Sequence, residues 1–373
     1  MGYRPALDGL RAVAIGLVLL EHTGLELFDG GNSGVVIFFV LSGFLITKLM
    51  LEEWDRSQTL NVGAFYGRRA VRILPAPMVM ALVVFALSWH IYPDDVNARR
   101  YLWFELFMVV AYLTNLRPLL FGDGSLWGAR FAGGDQSTFM AHTWTLSIEE
   151  HFYLVWPWLF RWGKLPARSP QRVVAALVTF TALITVGRYV IDQYGDPDVV
   201  SLSLFTFDGF ALGAGLAFMI HAGVLSELRQ ALTSKAAFVF CSLVVVADLL
   251  FRNQAHDDPA PASETAGYQY WFLTTVGLAS VILIAYLYDR PNGLAATILS
   301  LPLVVWLGQL SYSLYLWHVP VQVYFNRDRF PTWSLWQIVV VEQALTLAAA
   351  FGSYKLVELP ATRLRKRFVV ARS

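Results

Sequence analysis

The feature that most constrains this chain is a series of apolar blocks, each close to the roughly 20 residues a helix needs to cross a bilayer. They run over residues 7–25, 33–51, 72–91, 102–121, 143–161, 172–191, 202–222, 235–251, 268–288, 302–325 and 334–357. Such a chain has too little charge to clothe a water-facing globule. Its residues are 56% hydrophobic and 15% charged, where a soluble domain carries about 25% charged residues. A soluble enzyme, a disordered chain and a coiled coil are therefore excluded. The net charge of +1, with basic residues in short clusters, argues against a nucleic-acid partner. The blocks are continuous and do not alternate in ten-residue segments, so a membrane β-barrel is excluded too. The expected class is all-α, a polytopic membrane helix bundle.

The connecting segments set the sidedness. Lys48, Arg56, Arg68, Arg69 and Arg72 fall in one, Arg161, Lys164, Arg168 and Arg172 in another, and Arg363, Arg365, Lys366, Arg367 and Arg372 in the tail. These read as cytoplasmic by the positive-inside rule. The segments with Asp192, Asp196 and Asp198, and with Asp257, Asp258 and Glu264, read as external. An even number of crossings must then separate residues 48–72 from 161–172, yet three blocks lie between them. The 102–121 block contains Glu105, Asn115 and Arg117, so it is assigned as an interfacial or re-entrant segment buried against protein. About ten transmembrane helices follow, with both termini cytoplasmic and the Gly-rich loop 122–142 outside. Residues 1–362 form one integral-membrane domain and 363–373 a basic cytoplasmic tail. Cys241, the single cysteine, excludes an internal disulfide and a cysteine-based metal site, and no metal is expected. The run from Ala12 to Leu20 lacks a cleavage signal and reads as an uncleaved first span.

Ionisable groups inside spans cost about 2.5–3.5 kcal/mol each on insertion scales, so they point to function. Arg11 and His22 are separated by eleven positions. Eleven residues turn through about 1100°, about 20° past three full turns, so the two share one helix face. A membrane-surface arginine with an interface histidine is the plainer reading of this pair. Gly43, in the second block, reads as a close-packing residue. Arg68, Arg69 and Arg72 lie on a helix start before Pro75, which reads as a bend. Arg72 shares a face with each of the other two. Such a pair can fork onto phosphate oxygens, or can simply flank anionic lipid. The stretch HTWTLSIEEHFYL puts His142, Trp144, Ser147, Glu149, Glu150 and His151 at the outer end of one span. Packing alone does not account for so many polar groups there. His318 sits in the aromatic run SYSLYLWHVPV, as a structural or a substrate-facing histidine. Glu358 stands before the basic tail, where an ion pair fixing this end is the plainer reading.

Arg-x10-His in the first span, followed in order by VIFFVLSGFLIT, FYGRRAVRILPA, HTWTLSIEEHFYL, SYSLYLWHVPV and VELPA, resembles the membrane acyltransferase-3 family over about residues 5–362. The resemblance implies a ten-span bundle in a cell inner or plasma membrane. It implies transfer of an acyl group, often acetyl, from acyl-CoA to a hydroxyl of a saccharide, glycolipid or macrolide-like acceptor. Acyl-CoA would be a co-substrate, with no permanently bound cofactor. His22 corresponds to the catalytic histidine, Arg11 to its motif partner, Arg69 and Arg72 to the donor-binding pair with Arg68 beside them, and Glu149 and Glu150 to the paired acidic position. His142, Trp144, Ser147 and His318 are expected on the acceptor side. His151 stands where the family usually has Gln, and Thr145 where Ser is common. Some relatives carry an esterase-like domain after the bundle; the short stretch after the last span leads to the expectation of a stand-alone member.

On this reading His22 is a general base. A hydroxyl is a poor nucleophile near neutrality, and imidazole suits both taking its proton and passing it to the departing thiolate. Glu149 or Glu150 would orient the histidine or the acceptor. The principal alternative is a transporter or flippase, which would show two related halves with broken helices; no such similarity is visible. A lipid-linked-sugar glycosyltransferase, with Asp29 as external base, is a further alternative.

Overall fold

The computed structural model describes residues 3–23, 28, 32–91, 96–117, 128–131, 134–137, 139–194, 203–224, 226–251, 262–326 and 329–364. Asp29, the loop acids Asp196, Asp198, Asp257 and Asp258, and the tail cations Arg365, Lys366, Arg367 and Arg372 lie outside the described residues. The first helices are α1 (Pro5–Glu21), α2 (Asn32–Ser57), α3 (Val62–Ile73), α4 (Pro75–Ile91) and α5 (Val96–Val110). Then come α6 (Trp144–Trp162), α7 (Pro170–Tyr194), α8 (Asp208–Ala222), α9 (Ser226–Leu232), α10 (Lys235–Phe251) and α11 (Ala262–Asp289). The last are α12 (Leu294–Leu299), α13 (Pro302–Tyr324), α14 (Leu335–Ser353) and α15 (Leu359–Leu364), the final pair joined by a π-turn at Tyr354–Glu358.

Local chemistry places these ends. Pro5 opens α1, where its fixed φ suits the first turn and its missing N–H goes unneeded. The Asn61 side chain caps α3 by accepting from the Ala64 N–H at 2.9 Å. Ser334 and Gln337 form a capping box at the start of α14. Gly223 ends α8 in the left-handed conformation, φ 63°.

Each of the eleven apolar blocks carries a helix. Among the described residues, Asn32–Ser57, Val62–Leu87, Pro170–Ile191 and Leu335–Leu364 are long and apolar enough to cross a membrane. The pair α9 and α10, bent by 59°, would add a fifth if it is one span. Leu82, Phe107, Leu159, Leu183, Phe240 and Val340 stand exposed on helix surfaces, an apolar exterior that suits lipid and not water. This is the build of a helical membrane protein. An addition to the all-helical expectation is a short antiparallel hairpin within the 122–142 loop, Gly128–Phe131 with Gly134–Ser137, in register Gly128↔Ser137.

One position departs from the sequence reading. Pro75 does not set an interfacial helix apart from a span. Leu74 keeps helical angles (φ −60°, ψ −39°) and its N–H donates to Ala70 at 3.0 Å, so the apolar stretch Val62–Leu87 runs through the proline. Proline at a helix position loses one backbone bond without having to end the helix. The 102–121 block is helical only to Val110, then turns through Tyr112, which has a left-handed φ of 55°. Glu105, Asn115 and Arg117 in this block are all buried.

The chain forms two compact units, residues 1–60 with 152–311, and residues 61–151 with 312–373. In the first, α2 is the central helix. Its apolar window is 72% buried, against 28% for each of the other three, and it packs on α1, α8, α10 and α11. Lipid tails are as apolar as leucine, so helices associate here by close fit and internal polar bonds. Glycines supply the fit: a Cβ on Gly43 would strike the Phe210 backbone, one on Gly213 the Val40 carbonyl, and one on Gly34 the Ala14 carbonyl. Cys241 is buried and free. In the second unit, Ala76, Met80, Ala81, Val84, Leu102, Val109, Phe139, Met140, Leu146 and Leu316 form one apolar cluster, while α3 lies against α15 and α4 against the π-turn.

Candidate active site

The sequence-derived residues divide between the units. Arg11 and His22 belong to the first; Arg68, Arg69, Arg72, His142, Trp144, Ser147, Glu149, Glu150 and His318 belong to the second.

In the first unit, α1 stops at Glu21 and His22 follows as its C-cap. The imidazole Nδ1 lies 2.8 Å from the Val18 carbonyl. A carbonyl can only accept, so Nδ1 carries the proton and the neutral ring keeps its lone pair on Nε2. That tautomer is the one a general base needs. Arg11 is 3.6 Å from Asp8, one turn earlier on α1, and Asp8 also accepts from the Tyr3 hydroxyl at 2.6 Å.

In the second unit, α3 presents Arg69 to Glu150 of α6 at 3.9 Å, with 15% and 24% of the two side chains exposed. Arg72 is exposed and Arg68 half-buried. Tyr112, which no sequence pattern singled out, joins this group. Its phenol is within electrostatic reach of Glu149, Glu150 and Arg69, its hydroxyl is buried with no hydrogen-bond partner among the described residues, and its backbone bonds to His151. Tyr312 of α13 borders the same acids and Glu358, and its hydroxyl donates to the Ile73 carbonyl at 2.8 Å. Ser313 donates to Glu358 in the π-turn.

A second cluster in this unit brings His142 and His318 together, their ring centres 5.2 Å apart. His142 sits in the 3-10 turn Ala141–Thr143 that leads into α6. Its Nε2 donates to the Leu316 carbonyl at 3.1 Å, and Nδ1 of His318 donates to the Tyr315 carbonyl at 2.6 Å. Each ring is thus anchored by one protonated nitrogen, with the lone pair on the other. Tyr315 locks the pair by donating to the His142 carbonyl at 2.5 Å, and Thr145 lies 2.6 Å from the same hydroxyl. Ser147 accepts from the Thr114 N–H at 3.2 Å and donates to the Thr143 carbonyl at 3.3 Å, tying α6 to the turn after α5. Trp144 begins α6 half-buried.

The first unit also holds a buried ion pair that the sequence reading passed over. Arg188 grips Asp208 through two bonds at 2.7 and 3.2 Å and bonds Thr274 and the Phe205 carbonyl at 2.7 and 3.0 Å. An arginine inside an apolar span was the available signal.

The match between chain and family is extensive. The family model described as an acyltransferase domain, that of acyltransferase-3, covers residues 4–354. The chain belongs to the acyltransferase-3 family. It is similar to the peptidoglycan O-acetyltransferase OatA of Listeria monocytogenes, 29% identical over 378 residues, covering 96% of this chain and 56% of the relative. The O-acetyltransferase OatA of Staphylococcus aureus is 28% identical over 379 residues, covering 96% and 57%. A putative O-acetyltransferase of another Staphylococcus aureus strain is 27% identical over 369 residues, with the same coverage of each chain. This member of the family thus spans little more than half the length of the curated relatives it matches. No solved structure matches it significantly.

Proposed function

We propose that this protein is an integral-membrane O-acyltransferase that moves an acetyl or other short acyl group from acyl-CoA to a hydroxyl of a saccharide of the peptidoglycan type. The observation that carries the reading is His22, set in an acyltransferase-3 chain with Nδ1 held by Val18 and the lone pair on Nε2. In the proposed step, Nε2 takes the proton from the acceptor hydroxyl as its oxygen attacks the thioester carbon. The carbon–sulfur bond breaks, and the proton passes to the departing CoA thiolate. Direct transfer needs no acyl-enzyme.

In the first unit Arg11 is the further motif residue. In the second, the α3 cations Arg68, Arg69 and Arg72 suit the donor's phosphates by charge and forked geometry, and Glu149 and Glu150 are the acidic pair. The anchored His142 and His318 rings, with Trp144 and Ser147, are proposed for the acceptor side; their fixed lone pairs suit recognition of sugar hydroxyls. The topology proposed with this activity is ten crossings of a cell inner or plasma membrane with both termini cytoplasmic.

The test is transfer itself. Purified protein in nanodiscs is given acetyl-labelled CoA with peptidoglycan fragments, other saccharides and a membrane extract. Release of free CoA thiol together with a base-labile label on a saccharide supports the reading. CoA that stays acylated in the presence of every acceptor would count against it.

A further inference from the structure

Two cations of the first unit converge on one buried aromatic ring. Lys48 of α2 holds its ammonium 4.1 Å from the centre of the Tyr288 ring and donates to the Tyr288 hydroxyl at 2.6 Å. Arg4, the N-cap of α1, places its guanidinium carbon 5.0 Å from the same ring centre. Tyr288 is 8% exposed and lies at the end of α11. Lys48 also lies over Phe44, at 5.6 Å.

Two like charges that share one aromatic ring repel each other, and the ring offsets only part of that. Neither cation makes an ion pair among the described residues. The carboxylates nearby in sequence serve other partners: Asp8 takes Tyr3 and Arg11, and Asp289 pairs with Arg229 at 3.0 Å. Lys48 does not pair with Glu52, one turn further along α2. The arrangement also differs from a surface cation reaching into an anionic leaflet. The Arg4 Nε is buried with no hydrogen-bond partner among the described residues, and Arg4 and Lys48 are both half-buried.

We infer that Arg4 and Lys48, held on Tyr288, form a phosphate-binding site. A phosphate monoester, close to −2 at neutral pH, would neutralise both charges, and a diester would neutralise one of them. Either would take a forked bond from the guanidinium and a point contact from the ammonium. The phosphate could belong to a CoA-type nucleotide or to an anionic lipid headgroup, and the site is argued independently of the transferase reading.

The experiment uses the full chain in phosphatidylcholine nanodiscs. CoA and inorganic phosphate are titrated calorimetrically, and retention of added phosphatidylglycerol is read by native mass spectrometry. Losing one charge-assisted partner is expected to weaken the phosphate ligand about tenfold in Arg4→Gln and in Lys48→Gln. Lys48→Arg, which keeps the charge, should stay within about threefold. A loss confined to CoA assigns the site to a nucleotide, and a loss confined to phosphatidylglycerol assigns it to a lipid headgroup. Unchanged binding of both in the two Gln variants would overturn the inference. If those variants do not fold, wild-type protein decides: inorganic phosphate should raise its melting temperature above that in chloride at equal ionic strength, and no rise would overturn the site.

Discussion

Arg188 and Asp208, in the first unit, meet through two bonds at 2.7 and 3.2 Å, with the arginine side chain fully enclosed. Arg69 and Glu150, in the second, stand 3.9 Å apart with both side chains partly open. The first pair is completed by Thr274 and the Phe205 carbonyl. The second has for a neighbour Tyr112, whose hydroxyl is buried without a hydrogen bond among the described residues. Charges matched to one another hold helices together. Charges matched loosely, beside polar atoms with capacity to spare, can take a substrate. The comparison therefore contrasts a closed ion pair with an open one, the open one belonging to the residues proposed for the reaction.

The largest effect should come from breaking the closed pair. Asp208→Ala strands a buried guanidinium and is expected to cost about 3–5 kcal/mol in stability, read as unfolding in detergent. The double variant with Arg188→Met should recover most of that loss. A cost under about 1 kcal/mol would show that the pair is not structural. Next comes the glycine contact between α2 and α8. Gly43→Val must push against the Phe210 backbone and should cost about 1–3 kcal/mol.

Smaller in stability, but larger in function, is Glu150→Gln. With its partner 3.9 Å away and partly exposed, the change should cost less than about 1 kcal/mol, yet lower acyl transfer about 10²-fold. If it destabilised as much as Asp208→Ala, the contrast between the units would fail. The smallest is Tyr315→Phe. It removes the hydroxyl that bonds the His142 carbonyl at 2.5 Å, for about 1 kcal/mol. Its measurable signature would be a raised KM for the acceptor.

Much of the fold was legible because apolar length is a local property. Every block of suitable length carries a helix, and Pro5, Asn61 and Ser334 mark helix starts by their own chemistry. The family was legible too, because Arg11, His22 and the α3 arginines form short ordered patterns that resemble it, and the family model covers residues 4–354. What escaped depends on distant chain segments meeting. Arg188 finds its bonds on α8 and α11, and His142 finds His318 across the second unit. The left-handed turn at Tyr112 was hidden for a different reason: a non-glycine residue at φ 55° carries no sequence signal and is held by its surroundings. Pro75 misled because proline weakens a helix without having to end it, and Leu74 stays helical.

The most direct measurement is the rate of acetyl transfer by His22→Ala beside wild type, both in nanodiscs and both checked for an unchanged melting temperature. The account predicts a fall of about 10²–10⁴-fold, the usual contribution of a general base. A folded His22→Ala protein that transfers acetyl within about threefold of wild type would contradict it.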